Sequence, residues 1–349
     1  MSSSPAAVAD PVRVALIGAG RIGTSHAQTL ARRVTGAQLV AVSDPRPEAA
    51  RALADLLGVR AQPDVHQLLG DPEVEAVVIS AASEAHADLI VTAAEAGKAI
   101  FCEKPMAQHL EDADRAIGAA RSAGVCLQVG FNRRFDRSFA AARKVVLDGG
   151  IGTPQLMRSL TRDPGLANPA GVPLWTVFLQ TLIHDFDMLL WLNPGAQPVQ
   201  VYAAADALVA PAFREAGLLD TAVVTIRFDN GAIATAEASF SASYGYDVRG
   251  EVFGSAGMVT IGDTARTSMV YHDARGLHAQ TTRGDVELFL DAYTAEFDEF
   301  VSAVRDKRDP SVTGHDARRA LTVALGAIES MRRGRPVELA DDGAVRAAR

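Results

Sequence analysis

Three glycines close the first apolar run of this chain, as Gly18-x-Gly20-x-x-Gly23, and a helical pattern follows them. A strand, a tight glycine turn and a helix N-terminus in that order make a phosphate site for a dinucleotide. Gly18 serves the turn, Gly20 admits a pyrophosphate to the backbone, and Gly23 lets the helix pack on the strand. Ala19, Arg21 and Ile22 complete the loop. A second β-like run, Gln38 to Ser43, ends at Asp44, about 20 residues past the turn, where an acid meets the adenosine ribose hydroxyls. Asp44 repels a 2′-phosphate and so selects NAD over NADP, while Arg46 offers a charge that a phosphate would accept. An ordinary βαβ unit with a glycine turn is the alternative.

Two further residues carry the types that move protons. Lys104 sits in Glu103-Lys104-Pro105, at the exit of an apolar run. A lysine there reaches a cofactor or a substrate, and a solvated surface lysine is the competing reading. His184 lies in Ile183-His184-Asp185-Phe186-Asp187 on an amphipathic stretch. Its ordinary pKa near neutrality suits a general base. The same pattern also suits a hydrogen-bonded core histidine.

The elements that must position these residues fall into two patterns. Up to about residue 130, strand-like and helix-like segments alternate: Glu75 to Ser80, Lys98 to Cys102 and Val125 to Val129 as strands, Pro47 to Leu57, Ala85 to Ala96 and His109 to Ala123 as helices. That alternation predicts a parallel sheet with helices on both faces. The loops after Ile17, Ser43, Ser80, Cys102 and Val129 then line one cleft. After Gly150 comes a mixed, proline-bearing stretch from Thr153 to Trp175, then a helix from about Phe178 to Leu192. Strand runs follow without helices between them, including Ala222 to Phe228 and Ala232 to Phe240 around the hairpin turn Asp229-Asn230-Gly231. This half is α+β with a largely antiparallel sheet that covers the cleft. Two helices, Glu287 to Arg305 and His315 to Arg333, close the chain. The expected division is a disordered tail over 1–11, an α/β Rossmann domain over 12–131, a substrate and oligomerisation domain over 132–340, and a tail over 341–349.

The chain has 349 residues, room for two domains. Its net charge of −8 speaks against nucleic acid or an anionic membrane as partner. No apolar run reaches a membrane span, and the N-terminal segment lacks a signal-peptide pattern. Cys102 and Cys126 lie in apolar runs without metal-ligand spacing, which fits a reducing cytoplasm. His272, His278 and His315 are scattered, and no metal site is expected.

Taken in order, the glycine turn with His26, Asp44, Glu103-Lys104-Pro105, Gly130-Phe131-Asn132-Arg133-Arg134-Phe135-Asp136 and the Ile183–Asp187 segment resemble the glucose–fructose oxidoreductase/inositol dehydrogenase/rhizopine-catabolism (Gfo/Idh/MocA) family. The likeness is strongest to bacterial inositol 2-dehydrogenases. It implies a Rossmann domain, an open-faced sheet that builds dimers or tetramers, and NAD(P)-dependent oxidation of a sugar or cyclic polyol. It also implies that Lys104 sits near the nicotinamide and that His184 takes the hydroxyl proton. By the same resemblance Ser83 and His86, with Ser80, belong beside the nicotinamide half with Glu103, although Ser83 is equally a helix cap. Asn132, Arg133, Arg162, Asp163 and Asp187 belong on the substrate side. Tyr244 and Tyr246 read as a solvated loop.

One position departs from the resemblance. Inositol dehydrogenases usually have an aspartate one helical turn before the histidine, and here it is Gln180. Glutamine binds a hydroxyl or an imidazole but brings no charge to raise the histidine's pKa. Asp187 is the expected compensation. Oxidation of another carbohydrate, a pyranose or anhydrosugar, and a non-catalytic NAD-binding sensor therefore stand as alternatives.

Overall fold

The computed structural model describes residues 10–165, 172–209 and 211–340. Apart from Asp10 and Pro11, the two expected tails lie outside the described residues. The chain forms two compact units, Met1–Gly130 with Tyr293–His315, and Phe131–Ala292 with Asp316–Arg349.

The first unit holds a six-stranded parallel sheet: β1 (Val12–Ile17), β2 (Ala37–Ser43), β3 (Arg60–Ala61), β4 (Ala76–Ile79), β5 (Ala99–Cys102) and β6 (Leu127–Val129), in the order β3-β2-β1-β4-β5-β6. β4 and β5 are buried throughout, as strands covered on both faces must be. Between the strands run α1 (Arg21–Arg32), α2 (Pro47–Leu57), α3 (Val65–Gly70), α4 (His86–Glu95) and α5 (Leu110–Ala123). The order reverses at β1, so β1 and β4 flank the switch point where such sheets take ligands.

The second unit contains α6 (Arg137–Leu147), β7 (Pro154–Arg162), α7 (Leu182–Trp191), β8 (Pro198–Asp206), α8 (Pro211–Glu215), β9 (Thr221–Phe228), β10 (Ile233–Ser239), β11 (Asp247–Gly254) and β12 (Met258–Ile261). A hairpin of β13 (Ala265–Asp273) and β14 (Gly276–Thr281) follows, then the short α9 (Asp285–Leu288). The seven-stranded sheet runs β12-β11-β7-β10-β9-β8-β15, with β15 at Val337–Glu338. Its pairs are antiparallel except β7 with β10. One side of each strand is buried, with Met157, Val224, Ile226, Ala234, Ala236 and Val252 inward.

Two features differ from the sequence reading. β7 lies in the mixed, proline-bearing stretch, to which the sequence reading assigns no strand. Its inward positions include Ser159 and Thr161, which break the apolar alternation because they serve a buried aspartate. The helices at the end of the chain, α10 (Leu290–Asp306) and α11 (Gly314–Arg333), do not share a unit. A single break near residue 131 assigns both to the second unit. Yet Phe297, Phe300 and Val301 of α10 sit in one apolar cluster with Val14, Leu16, Leu30, Val78 and Phe101 of the first.

Candidate functional site

The glycine turn stands at the end of β1. Gly18 has φ +103°, and a Cβ there would lie 2.6 Å from the Ala81 nitrogen. A Cβ on Gly23 would come within 1.9 Å of the Gly18 oxygen, so α1 reaches the turn only with glycine at that place. At Gly20 a Cβ would meet nothing within 4 Å. Gly20 is the N-cap of α1, and no side chain caps the helix. Open space before an uncapped helix N-terminus fits the pyrophosphate of a dinucleotide. Asp44, at the end of β2, accepts from the Ala19 N–H at 2.8 Å and from the Arg46 N–H at 2.9 Å. Burial works to raise its pKa, but these hydrogen bonds and the Arg46 guanidinium outweigh that and hold the carboxyl below its usual range. The acid is therefore ionised and fixed against the turn, as a ribose partner must be.

From Glu103 to Ala107 the loop after β5 is buried except at Lys104, which is half-buried. Glu103 beneath it is 5% exposed. Its Oε1 lies 2.6 Å from His26 Nε2, and its Oε2 accepts the Lys104 backbone N–H at 3.1 Å. His26 packs edge-on against Phe101, Tyr293 and Phe297. Burial pushes Glu103 toward the neutral acid, but the His26 hydrogen bond and the charges of His26, Lys104 and His86 keep it ionised. Glu296 on α10 is fully buried, and its carboxyl oxygens meet no hydrogen-bond partner. Burial and the Glu103 charge push it well above the usual carboxylate range. His26, Glu103 and Glu296 bring one donor atom each within 4.8 Å of one another. The His26–Glu103 contact is a buried hydrogen bond between a ring nitrogen and a carboxylate.

Several expected cofactor residues turn inward instead. Ser80 donates its hydroxyl to the Gly18 oxygen at 2.9 Å. His86 places both ring nitrogens on backbone carbonyls. Glu103 braces the lysine's own backbone. These side chains shape the loops that carry Gly18 and Lys104. Ser83 is half-buried, in the short turn Ser83–Ala85 before α4.

In the second unit the segment before His184 is not a regular α-helix. A π turn spans Val177–Thr181 and leads into α7. The expected α-helical turn between Gln180 and His184 is thus widened, and a single π turn spans too few residues for the apolar pattern to mark it. From Thr181 to Leu190 every residue is buried except His184. Gln180 is likewise half-buried. Phe131 meets the His184 ring edge-on at 5.9 Å between centroids.

Asp187 does not serve as the expected compensation. It is fully buried, and both its oxygens accept from Arg134, at 2.9 Å from Nε and 2.5 Å from Nη2. Arg134 also reaches Asp316 at 3.1 Å. Asn132 and Arg133, expected to face a cleft, are 2% and 1% exposed. Arg133 pairs with Asp185 at 2.9 Å, and Asp185 also accepts from Ser159 and Thr161. These charges anchor the start of α7 from below. Arg162 is held by Glu237 at 3.2 Å beside Tyr244 and Asp247. Asp163, the next residue, joins its backbone to Ser239 and Ala242. Tyr244 is exposed, as a loop tyrosine should be, whereas Tyr246 is buried.

Comparison with known proteins decides the family. Residues 12–131 match the model of an oxidoreductase family with an NAD-binding Rossmann fold, and residues 143–339 match that family's C-terminal α/β domain. The chain belongs to the GFO/IDH/MocA oxidoreductases. As a member it is a dehydrogenase acting on CH–OH groups, with an NAD-binding first domain. It is similar to the myo-inositol 2-dehydrogenase of Thermotoga maritima, 38% identical over 94% of this chain and 98% of the relative. The NAD⁺-dependent scyllo-inositol 2-dehydrogenase of Bacillus subtilis is 37% identical over 94% and 96%. Among solved structures, scyllo-inositol dehydrogenase from Lactobacillus casei with bound NAD(H) and scyllo-inositol superposes with a TM-score of 0.90. That structure is 27% identical, over 94% of this chain and 99% of its own.

Proposed function

We propose that this GFO/IDH/MocA member oxidises a secondary alcohol of a cyclic polyol of the inositol type, with NAD⁺ as hydride acceptor. The carrying observation is that Lys104 and His184 are each the one ionisable side chain left partly open in an otherwise buried segment. The inositol dehydrogenases to which the chain is similar support the polyol class. NAD⁺, held at the glycine turn and Asp44, supplies the oxidant. His184 accepts the hydroxyl proton through its imidazole. The Lys104 ammonium stabilises the negative charge that develops on the oxygen. Gln180, on the widened turn before His184, donates to and accepts from ring hydroxyls without adding charge. That residue favours a second reading, a pyranose or other carbohydrate as substrate. The retained Lys104 and His184 speak against a non-catalytic sensor.

The test is NADH formation, followed by absorbance, for wild type and Gln180→Asp across inositol isomers and pyranoses. Wild type turns over at least one cyclic polyol with NAD⁺, and works less well with NADP⁺ because Asp44 is ionised at the ribose position. Gln180→Asp lowers kcat/KM on that substrate. Turnover of pyranoses alone would move the assignment to the second reading, and a preference for NADP⁺ would remove Asp44 from cofactor selection.

We also infer that the chain acts as a homodimer or homotetramer through the outward face of its second sheet. Leu156, Tyr202, Val223, Ile233, Phe253 and Met258 are all more than two-fifths exposed on that sheet. Register places Leu156 beside both Ile233 and Phe253, so the exposure is contiguous. Light scattering at micromolar concentration will give a multiple of the chain mass, 36.7 kDa. A monomer there refutes the interface. Both cysteines are free, Cys102 buried and Cys126 half-buried, which supports a cytoplasmic setting. Among the described residues no helix is long and apolar enough to cross a membrane.

A further inference from the structure

His86 opens α4 at 1% exposure, between two loops of the first unit. Its Nδ1 lies 2.8 Å from the Pro105 oxygen, and its Nε2 lies 3.0 Å from the Ala81 oxygen. Carbonyl oxygens only accept. A neutral imidazole has one N–H and would turn a lone pair on one of these two oxygens. An imidazolium has two N–H groups and satisfies both. A buried cation also needs an opposing charge nearby. The ionised Glu103 carboxylate provides it, and His86 is among the charges that act on Glu103. The other charged groups around His86 are more open to water. Glu84 and Asp88 lie on its own segment and are engaged by Gln108 and Arg115. Lys104 lies on the neighbouring loop, and Asp112 and Arg115 lie on α5.

We propose that His86 is carried as an imidazolium and is a positioning residue for Lys104, tying the Pro105 carbonyl after β5 to the Ala81 carbonyl after β4. Its hydrogen bonds go to the backbone of the two loops. It fixes the peptide on the far side of Lys104, while Glu103 holds the lysine's own N–H on the near side. One carboxylate thus serves both grips, as acceptor for the backbone and as counter-charge for the ring. The kinetic importance of the tie rests on the role given to Lys104 above. Its charge state does not.

The experiment has three arms on the full chain. In ¹⁵N spectra of labelled wild-type protein, both His86 ring nitrogens will carry protons at neutral pH. One protonated and one bare nitrogen overturns the proposal. In His86→Asn, amide exchange in the 103–107 segment will rise about tenfold, the scale of one charge-assisted hydrogen bond. Unchanged exchange there also overturns it. The same variant will lose about tenfold in kcat for the polyol that wild type oxidises, with its NADH dissociation constant within about threefold. An unchanged kcat removes the positioning role. If wild type oxidises no polyol, the substrate reading fails while the spectra and the exchange still decide the tie. A misfolded His86→Asn leaves the wild-type spectra to decide the charge and His86→Gln to repeat the other two arms.

Discussion

His184→Ala lowers kcat for polyol oxidation by at least about a hundredfold, the usual loss when an acid–base group is removed. The dissociation constant for NADH changes little, because His184 stands on α7 in the second unit while the glycine turn and Asp44 lie in the first. Lys104→Ala costs a loss of the same order. Here the cofactor constant is free to move as well, since Lys104 follows β5 at the carboxyl edge of the nucleotide-binding sheet. Steady-state kinetics and calorimetric titration with NADH separate the two behaviours. Near-normal turnover in either alanine variant takes that residue out of the chemistry.

The second large effect falls on stability. Asp185 is fully buried and accepts from Arg133, Ser159 and Thr161. Asp185→Ala strands the Arg133 guanidinium, 1% exposed, without a counter-charge. Breaking a buried pair from one side costs about 3–5 kcal/mol. The denaturant midpoint of the second unit should fall accordingly, read by circular dichroism. Asp185→Asn keeps an acceptor for the hydroxyls and loses the charge, so it should fall between wild type and alanine. A variant within about 1 kcal/mol of wild type would show that Arg133 finds water or another partner. The neighbouring His184 makes the result informative about catalysis too, because the pair fixes the helix turn from which that side chain projects.

The first unit was largely legible because its physics is local. Apolar β-branched runs, glycine stops and short turns mark β1, β2, β4 and β5 to within one residue or two at their ends. Gly18, Gly20 and Gly23 each meet the steric situation that their spacing implies. The second unit was less legible where polar residues point inward. Ser159 and Thr161 hide β7 within a mixed stretch, since their partner Asp185 is more than 20 residues away in sequence. The same blindness put Arg133 and Asp187 on a substrate surface. A charged side chain reads as solvent-facing until its buried partner is known, and Arg133–Asp185 and Arg134–Asp187 are both such pairs. The signal that was available is the run of two arginines followed, some 50 residues on, by two aspartates of one helix. His86 and Glu103 turn inward, and a strand-exit position does not reveal which way a side chain turns. Glu296 carries no sequence signal, lying among polar residues on a helix whose partner surface is in the other half of the sequence.

The membership of α10 in the first unit bears on how the protein is made. Phe297, Phe300 and Val301 leave the ribosome only after all of β7 to β14, although they complete the apolar cluster begun at Val14. At about 5–20 residues per second, the amino-terminal sheet waits on the order of ten seconds or more for them. During that interval Phe101 and His26 lack the aromatic rings that pack on them. The nascent nucleotide domain thus keeps part of its apolar cluster open until residue 301 is made, and a chain ending ahead of residue 290 lacks the side chains that complete it.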